Sequence, residues 1–313
     1  MSLHPHGSEM SDGTEAYVTG SAASDETGGL PDIEQSPGLS RQTPRRTGPK
    51  PGRLAKAWEV GGPPFIVVLI VLALWQFLPP RLGIPPFILP TLTYMWAEVV
   101  DHQEQFTSAV IVSGVTAAIA FILSGLLGIL WALIMVRWDL VRRIVYPYAI
   151  MFHSVPVIAF APLIIIWFGV GHFSILLIAV IVGFFPVVAN TVVGLQSASS
   201  SSVDLFKVYG ASTRQTLWKL RLPSALPFIM AGLRISSSLA VIGTIIGEYV
   251  AGTSAGSGGL GYIIISAARN LQIGYVFAAA IVSALLGIAY FGLVVLAARY
   301  ILGPWHESAQ ARR

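Results

Sequence analysis

The sequence has no cysteine among its 313 residues, which excludes disulfides, thiolate metal sites and cysteine nucleophiles. Charge is scarce too. Asp, Glu, Lys and Arg make up 11% of the chain, where a soluble domain carries about a quarter. No GxxxxGK[ST] segment occurs, so nucleotide hydrolysis by the P-loop route is excluded for this chain. No His, Asp and Glu residues stand at metal-ligand spacing, and no Ser–His–acid arrangement can be read. The expectation is a chain that is not an enzyme and holds no cofactor or metal of its own. The first 30 residues also lack the apolar run of a cleavable signal peptide, so the first membrane helix is expected to act as the insertion signal.

What the chain has in abundance is apolar surface. Hydrophobic residues make up 54% of it, and its mean hydropathy is +0.72. Six apolar stretches lie near 62–79, 107–136, 144–168, 172–194, 225–250 and 275–302. Each is long enough to cross a hydrocarbon core of about 30 Å, which takes roughly 20 residues. The second and sixth exceed that length, which predicts tilt or extension beyond the bilayer. The third holds Pro156 and Pro162, and the fourth holds Pro186. Such prolines are tolerated where neighbours re-satisfy the freed carbonyls, so both helices are expected in the protein interior. The expected fold is all-α, with six transmembrane helices in a domain spanning 57–303. Residues 1–56 are rich in Ser, Gly, Pro and charge without hydrophobic periodicity, and are expected to be a disordered tail. Residues 304–313 form a short C-terminal tail.

The net charge of +4 needs no nucleic acid to explain it. With the N-terminus inside, sixteen of the nineteen Lys and Arg fall on the cytoplasmic side. They are the six of the tail, Arg137, Arg142 and Arg143, the four of the 201–223 loop, and Arg299, Arg312 and Arg313. Arg81 and Arg269 fall outside, and Arg234 lies within the fifth stretch. This asymmetry predicts that both termini and the 201–223 loop are cytoplasmic. On the outer side, 91–100 is expected to form a short interfacial helix, with Tyr94 and Trp96 as an anchoring belt.

The polar interval 201–223, SSVDLFKVYGASTRQTLWKLRLP, interrupts this membrane sequence. It mixes Lys207, Arg214, Lys219 and Arg221 with Phe206, Tyr209 and Trp218. Ser201 with Asp204 reads as a weak capping box, and Gly210 suits the left-handed position that ends a helix. Ser212 with Gln215 is a second capping box, and Pro223 is expected to turn Leu222 out of the helix and stop it. Two helices this short are marginal alone in water. Aromatics among the charges point to docking, with a plain solvated loop as the alternative.

Gly256 to Gly261 match GxGxxG, the dinucleotide fingerprint, but no strand or βαβ context accompanies them. Dinucleotide binding is rejected, and a flexible, backbone-exposed outer loop is expected instead. Ionisable and polar groups inside the spans are few, and costly enough to be substrate-pathway candidates. They are His153 with the neighbouring Pro156, Asn190, Arg234 and Glu248. Each has a plainer role: Asn190 gluing helices, Arg234 snorkelling to the cytoplasmic face, Glu248 lying near the outer headgroups.

The 204–223 segment resembles the cytoplasmic loop of binding-protein-dependent ABC importer permeases. That loop reads Glu-Ala-Ala, three residues, Gly, nine residues, Ile, one residue, Leu-Pro. Gly210, Leu220, Leu222 and Pro223 fall at those spacings, while Asp204-Leu205-Phe206 replaces the Glu-Ala-Ala triplet and keeps only the acid. The stretches 153–171, 183–194 and 258–270 are similar to the nitrate/sulfonate/taurine-type subfamily. The likeness covers roughly 60–303.

The resemblance implies a type I importer permease fold and a bacterial cell membrane. It makes 201–223 a coupling helix for a cytosolic ATPase, formed by Asp204, Leu205, Phe206, Tyr209, Gly210, Ala211, Ser212, Leu222 and Pro223. Phe206 and Tyr209 are then the expected apolar anchors, with Asp204 capping. It further implies two ATPase copies that bind ATP and Mg, a second permease copy as a homodimer, and an extracytoplasmic substrate-binding protein. The cargo would be a sulfonate, nitrate or taurine, or else a pyrimidine or riboflavin-like vitamin precursor. An ion-coupled secondary transporter and a non-transport membrane anchor are the alternatives.

Overall fold

Runs of apolar residues too long for a strand leave the backbone one way to satisfy its N–H and C=O groups in lipid, which is along the helix axis. The computed structural model describes residues 53–153, 156–252 and 258–310, and is helical throughout, with no strand among the described residues. Most of the predicted tail lies outside them. The chain divides into two units, Met1–Ala57 and Trp58–Arg313.

Among the described residues, five helices are long and apolar enough to cross a membrane. They are α1 (Arg53–Arg81), α3 (Gln103–Arg137), α6 (His172–Gln196), α9 (Leu222–Ala251) and α11 (Ile273–Gln310). The third predicted span is instead two shorter helices, α4 (Asp139–His153) and α5 (Val157–Phe168). The physical reason is Pro156, which stands between them in an extended conformation (φ −63°, ψ 105°) and has no N–H to continue a helix. The remaining elements are α2 (Leu92–Asp101), α7 (Ser200–Val208), α8 (Thr213–Thr216) and α10 (Leu260–Arg269). Helix α2 falls where expected, with Thr91 as its cap and Trp96 69% exposed. Beyond 303 the chain remains helical to Gln310, so the expected tail begins as a continuation of α11.

The centre of the fold is an antiparallel pair, α6 and α9, joined along small residues. A Cβ on Gly194 would meet Phe228 and Ala225, on Gly232 it would meet Asn190 and Pro186, and on Gly243 it would meet Ala179 and Val182. Backbones this close replace the hydrophobic drive that lipid removes with van der Waals contact. Helix α3 packs on the same pair. Ser124 donates to the Val180 carbonyl (2.9 Å) and flanks Gly183, a Cβ on Gly128 would meet Val187, and Ala132 and Met135 share a cluster with Val188 and Val192. Contacts on α3 and α6 therefore advance in the same direction, so these two helices run parallel.

A second cluster lies at the opposite end. Met95 of α2, Phe106 and Ala109 of α3, Leu260 and Ile263 of α10, and Tyr275 and Ala279 of α11 pack together there. Trp75 Nε1 donates to the Pro90 carbonyl (3.0 Å), fixing the end of α1 to the approach of α2.

Of the two proline-bearing stretches placed in the interior, α6 is interior, with Ile175, Ile178, Val187, Val188 and Thr191 all buried. Helix α5 is not. It buries Ala161 and Ile164 but leaves Ile158, Ile166 and Trp167 more than half exposed, so it presents most of its surface outward.

Candidate functional site

The loop between α6 and α9 is built by local capping. Ser199, not Ser201, caps α7, its hydroxyl accepting from the Ser202 N–H (3.3 Å), so the helix starts two residues earlier than expected. Asp204 is accordingly no cap. Its carboxylate accepts from Lys207 Nζ (2.9 Å) on an exposed surface, where such a pair contributes little.

At the other end the Gly210 N–H donates to the Lys207 carbonyl and the Ala211 N–H to the Phe206 carbonyl, both at 2.9 Å. This is the Schellman arrangement, and Gly210 takes the left-handed φ of 69° that it requires. Ser212 and Gln215 then form the expected reciprocal box. The Gln215 N–H donates to Ser212 Oγ (3.2 Å), and the Ser212 N–H donates to Gln215 Oε1 (2.7 Å).

The expected stop at Pro223 does not occur. Leu222 is helical (φ −66°, ψ −45°), and the helix begun at Thr213 passes through a π turn, Leu217–Arg221, directly into α9. Pro223 brings no N–H to this continuous helix, and the wider turn before it makes room for the ring.

The result is a capped helix–turn–helix whose apolar side chains face out. Leu205, Val208 and Tyr209, at i, i+3 and i+4, are 54%, 83% and 81% exposed, and Trp218 is exposed beyond them. Phe206 is half-buried. With Leu205, Tyr209, Gly210, Gln215 and Lys219 it lines an open cleft of about 410 Å³. Val208 was not among the expected anchors, although its spacing from Leu205 and Tyr209 was readable. An apolar stripe on an otherwise polar segment is a surface made to be covered.

The five intramembrane candidates are not brought together. His153 ends α4, and its side chain lies outside the described residues. Pro156 is the exposed joint between α4 and α5. Asn190 donates to the Pro186 carbonyl of its own helix (2.8 Å) and packs on Gly232. Arg234, two residues further along α9, is half-buried, and its Nε has no hydrogen-bond partner.

Glu248 is 1% exposed and sits far from these, at the other end of α9. The Ser113 hydroxyl lies 2.9 and 2.8 Å from its two carboxylate oxygens, and the Gly261 N–H donates to Oε2 (2.9 Å). Ser113 Oγ in turn accepts from the Leu260 N–H (2.8 Å). The glycine motif rejected as a dinucleotide loop thus has a structural use. Among its described residues Gly259, Leu260 and Gly261 are buried, not exposed, and a Cβ on Gly259 or Gly261 would collide with Glu248. Gly256 lies outside the described residues.

Comparison with known proteins places this architecture. The family model for the binding-protein-dependent transport system inner membrane component matches residues 124–302. A probable ABC transporter permease protein of Haemophilus influenzae is 31% identical over 239 residues, covering 76% of this chain and 96% of the relative. The formylaminopyrimidine transport permease protein ThiX of Halalkalibacterium halodurans is 33% identical, covering 78% and 96%. A putative aliphatic sulfonates transport permease protein, SsuC of Bacillus subtilis, is 29% identical, covering 83% and 92%. The matched segment takes in α6, the capped loop, α9 and nearly all of α11, and the chain belongs to the family of binding-protein-dependent transport system inner membrane components, the permeases of ABC transporters.

Proposed function

We propose that the chain is the membrane-spanning subunit of an ATP-driven importer. It moves a small solute delivered by an extracytoplasmic binding protein, and its 201–223 loop docks on a cytosolic ATPase. The observation that carries this is the exposed Leu205–Val208–Tyr209 stripe on a segment otherwise rigidified by three caps. Fully burying one such side chain contributes roughly 1.5–3 kcal/mol, so a partner covering the stripe gains a firm grip on a loop continuous with α9. Closure of the ATPases would then reach α9 as rigid-body motion, because no flexible joint separates Thr213 from Ala251.

The parallel course of α3 and α6 supports six crossings. The chain has to return between residues 137 and 172, and α4 with α5 is what lies between. Six crossings together with the charge bias would leave both termini and the loop on the cytoplasmic side of a bacterial plasma membrane. Two copies of the chain would stand on two ATPases, which bind the ATP and Mg. Relatives named for aliphatic sulfonates, formylaminopyrimidine and taurine suggest a small polar solute, with a sulfonate, nitrate or taurine first and a vitamin precursor second. An ion-coupled transporter is disfavoured, since Glu248 is already engaged by protein donors.

The test is to purify the tagged protein in mild detergent and assay the ATPase activity that accompanies it. A P-loop ATPase should co-purify with the parent chain and be lost on Phe206→Ser/Tyr209→Ser, while membrane insertion is unchanged. Normal ATP-dependent uptake with Asp204-Leu205-Phe206 replaced by a polar triplet would sink the coupling role.

A further inference from the structure

Arg137 is the last residue of α3, and Arg221 immediately precedes α9. Both stand at the end of a long apolar helix, and at the same end of the bundle. Together with Lys207, Thr213 and Thr216 they line a cavity of about 280 Å³, walled by Leu217 and distinct from the outer cleft at Phe206 and Tyr209. That is roughly nine liquid-water volumes. No carboxylate lines it among the described residues.

Lys207 has Asp204 as its partner, whereas among the described residues neither Arg137 nor Arg221 has a hydrogen bond or an ion pair. Thr216 Oγ1 is turned to the Ser212 carbonyl (3.2 Å), which leaves Thr213 as the free hydroxyl. Charge bias alone places cations at this face of the membrane, but it does not require two unpaired arginines and a lysine to line one cavity with no described carboxylate in its wall. The two arginines repel, and an arginine cannot relieve that by losing its proton.

We propose that this cavity binds a phosphate group at headgroup depth, presented by an anionic phospholipid or by free phosphate. Guanidinium forks match phosphate oxygens in a bidentate manner, and Lys207 adds a third charge. Because the walls include the end of α3 and the 207–217 segment, the bound group ties that loop to the bundle. Its consequence for coupling rests on the importer reading; the binding itself does not.

The experiment uses the full chain in detergent. Native mass spectrometry compares retention of phosphatidylglycerol with that of phosphatidylcholine, and thermal unfolding compares inorganic phosphate with chloride at matched ionic strength. Preferential retention of phosphatidylglycerol is expected. It should fall roughly tenfold in Arg137→Gln/Arg221→Gln and less in Arg137→Lys/Arg221→Lys, which keeps the charge and loses the fork. Arg269→Gln, at the opposite end, should match the parent. Should the double glutamine variant not fold, the exposed Lys207→Gln carries the comparison. A phosphate-dependent rise in the melting point that the same variants abolish, without lipid preference, supports the site and makes free phosphate its source. Equal retention of both lipids with no effect of phosphate, or retention unchanged in folded glutamine variants, overturns the proposal.

Discussion

A carboxylate excluded from water between membrane helices persists only with donors supplied by the protein. Glu248 has them in the Ser113 hydroxyl and the Gly261 N–H, and Ser113 also receives the Leu260 N–H. Four groups from α3, α9 and the start of α10 are thus one network, and the network fixes the start of α10 against α3 and α9. Glu248→Ala strands the serine hydroxyl and a backbone N–H, which should cost about 1–3 kcal/mol. Glu248→Gln keeps an acceptor oxygen and should lose less. Thermal unfolding in detergent reads both, and Ser113→Ala combined with Glu248→Ala should cost less than the sum of the two, since they share partners. Full additivity would mean that the bonds are not coupled. Glu248 itself stood out in the sequence as a charge near a span end. Its partner Ser113 did not, because 135 residues separate the two and a lone serine in a membrane helix carries no pattern.

Helix α7 and the start of α8 were legible because capping is local. Gly210 and the Ser212–Gln215 box are set by residues within five positions of each other. The behaviour of Pro223 was not legible, since a rule for the residue before proline does not foresee a π turn that absorbs the ring. The break at Pro156 was visible as a proline, but whether it kinks or splits a helix depends on neighbours remote in sequence. The α6–α9 seam likewise reads as scattered glycines until the two helices are paired. At Gly243 a methyl group would press on Ala179 Cα at 2.7 Å, which is backbone and cannot swing away. At Gly287 of α11 the nearest atom, of Val241, lies 4.0 Å off. Gly243→Ala should therefore destabilise by about 1–3 kcal/mol, the range for overpacking. Gly287→Ala should be neutral or stabilising by up to about 1 kcal/mol, the helix-propensity gain. Equal melting points for the two variants would refute the close approach of α6 and α9.

Taken as a whole, the molecule hinges on whether α4 and α5 cross the bilayer. Helix α5, with 12 residues, is only about 18 Å long, too short for a core of about 30 Å. With the 15 residues of α4 the pair reaches about 40 Å, so a crossing needs both. The consequence is large. If the chain begins inside and makes six crossings, the 201–223 loop lies in the cytoplasm beside an ATPase. With only five, it lies outside and has no ATPase to meet. The absence of cysteine makes the question direct, because any introduced thiol is the only one. Trp138→Cys marks the junction of α3 and α4, and His172→Cys marks the start of α6, both at exposed positions. In intact cells a membrane-impermeant maleimide should label His172→Cys and leave Trp138→Cys unlabelled until the cells are permeabilised. Tyr300→Cys, 84% exposed near the end of α11, should behave like Trp138→Cys. Labelling of 138 and 172 from the same side would remove the sixth crossing. The coupling role of the Leu205–Val208–Tyr209 stripe would fall with it, because the same count of crossings fixes the side on which that stripe is exposed.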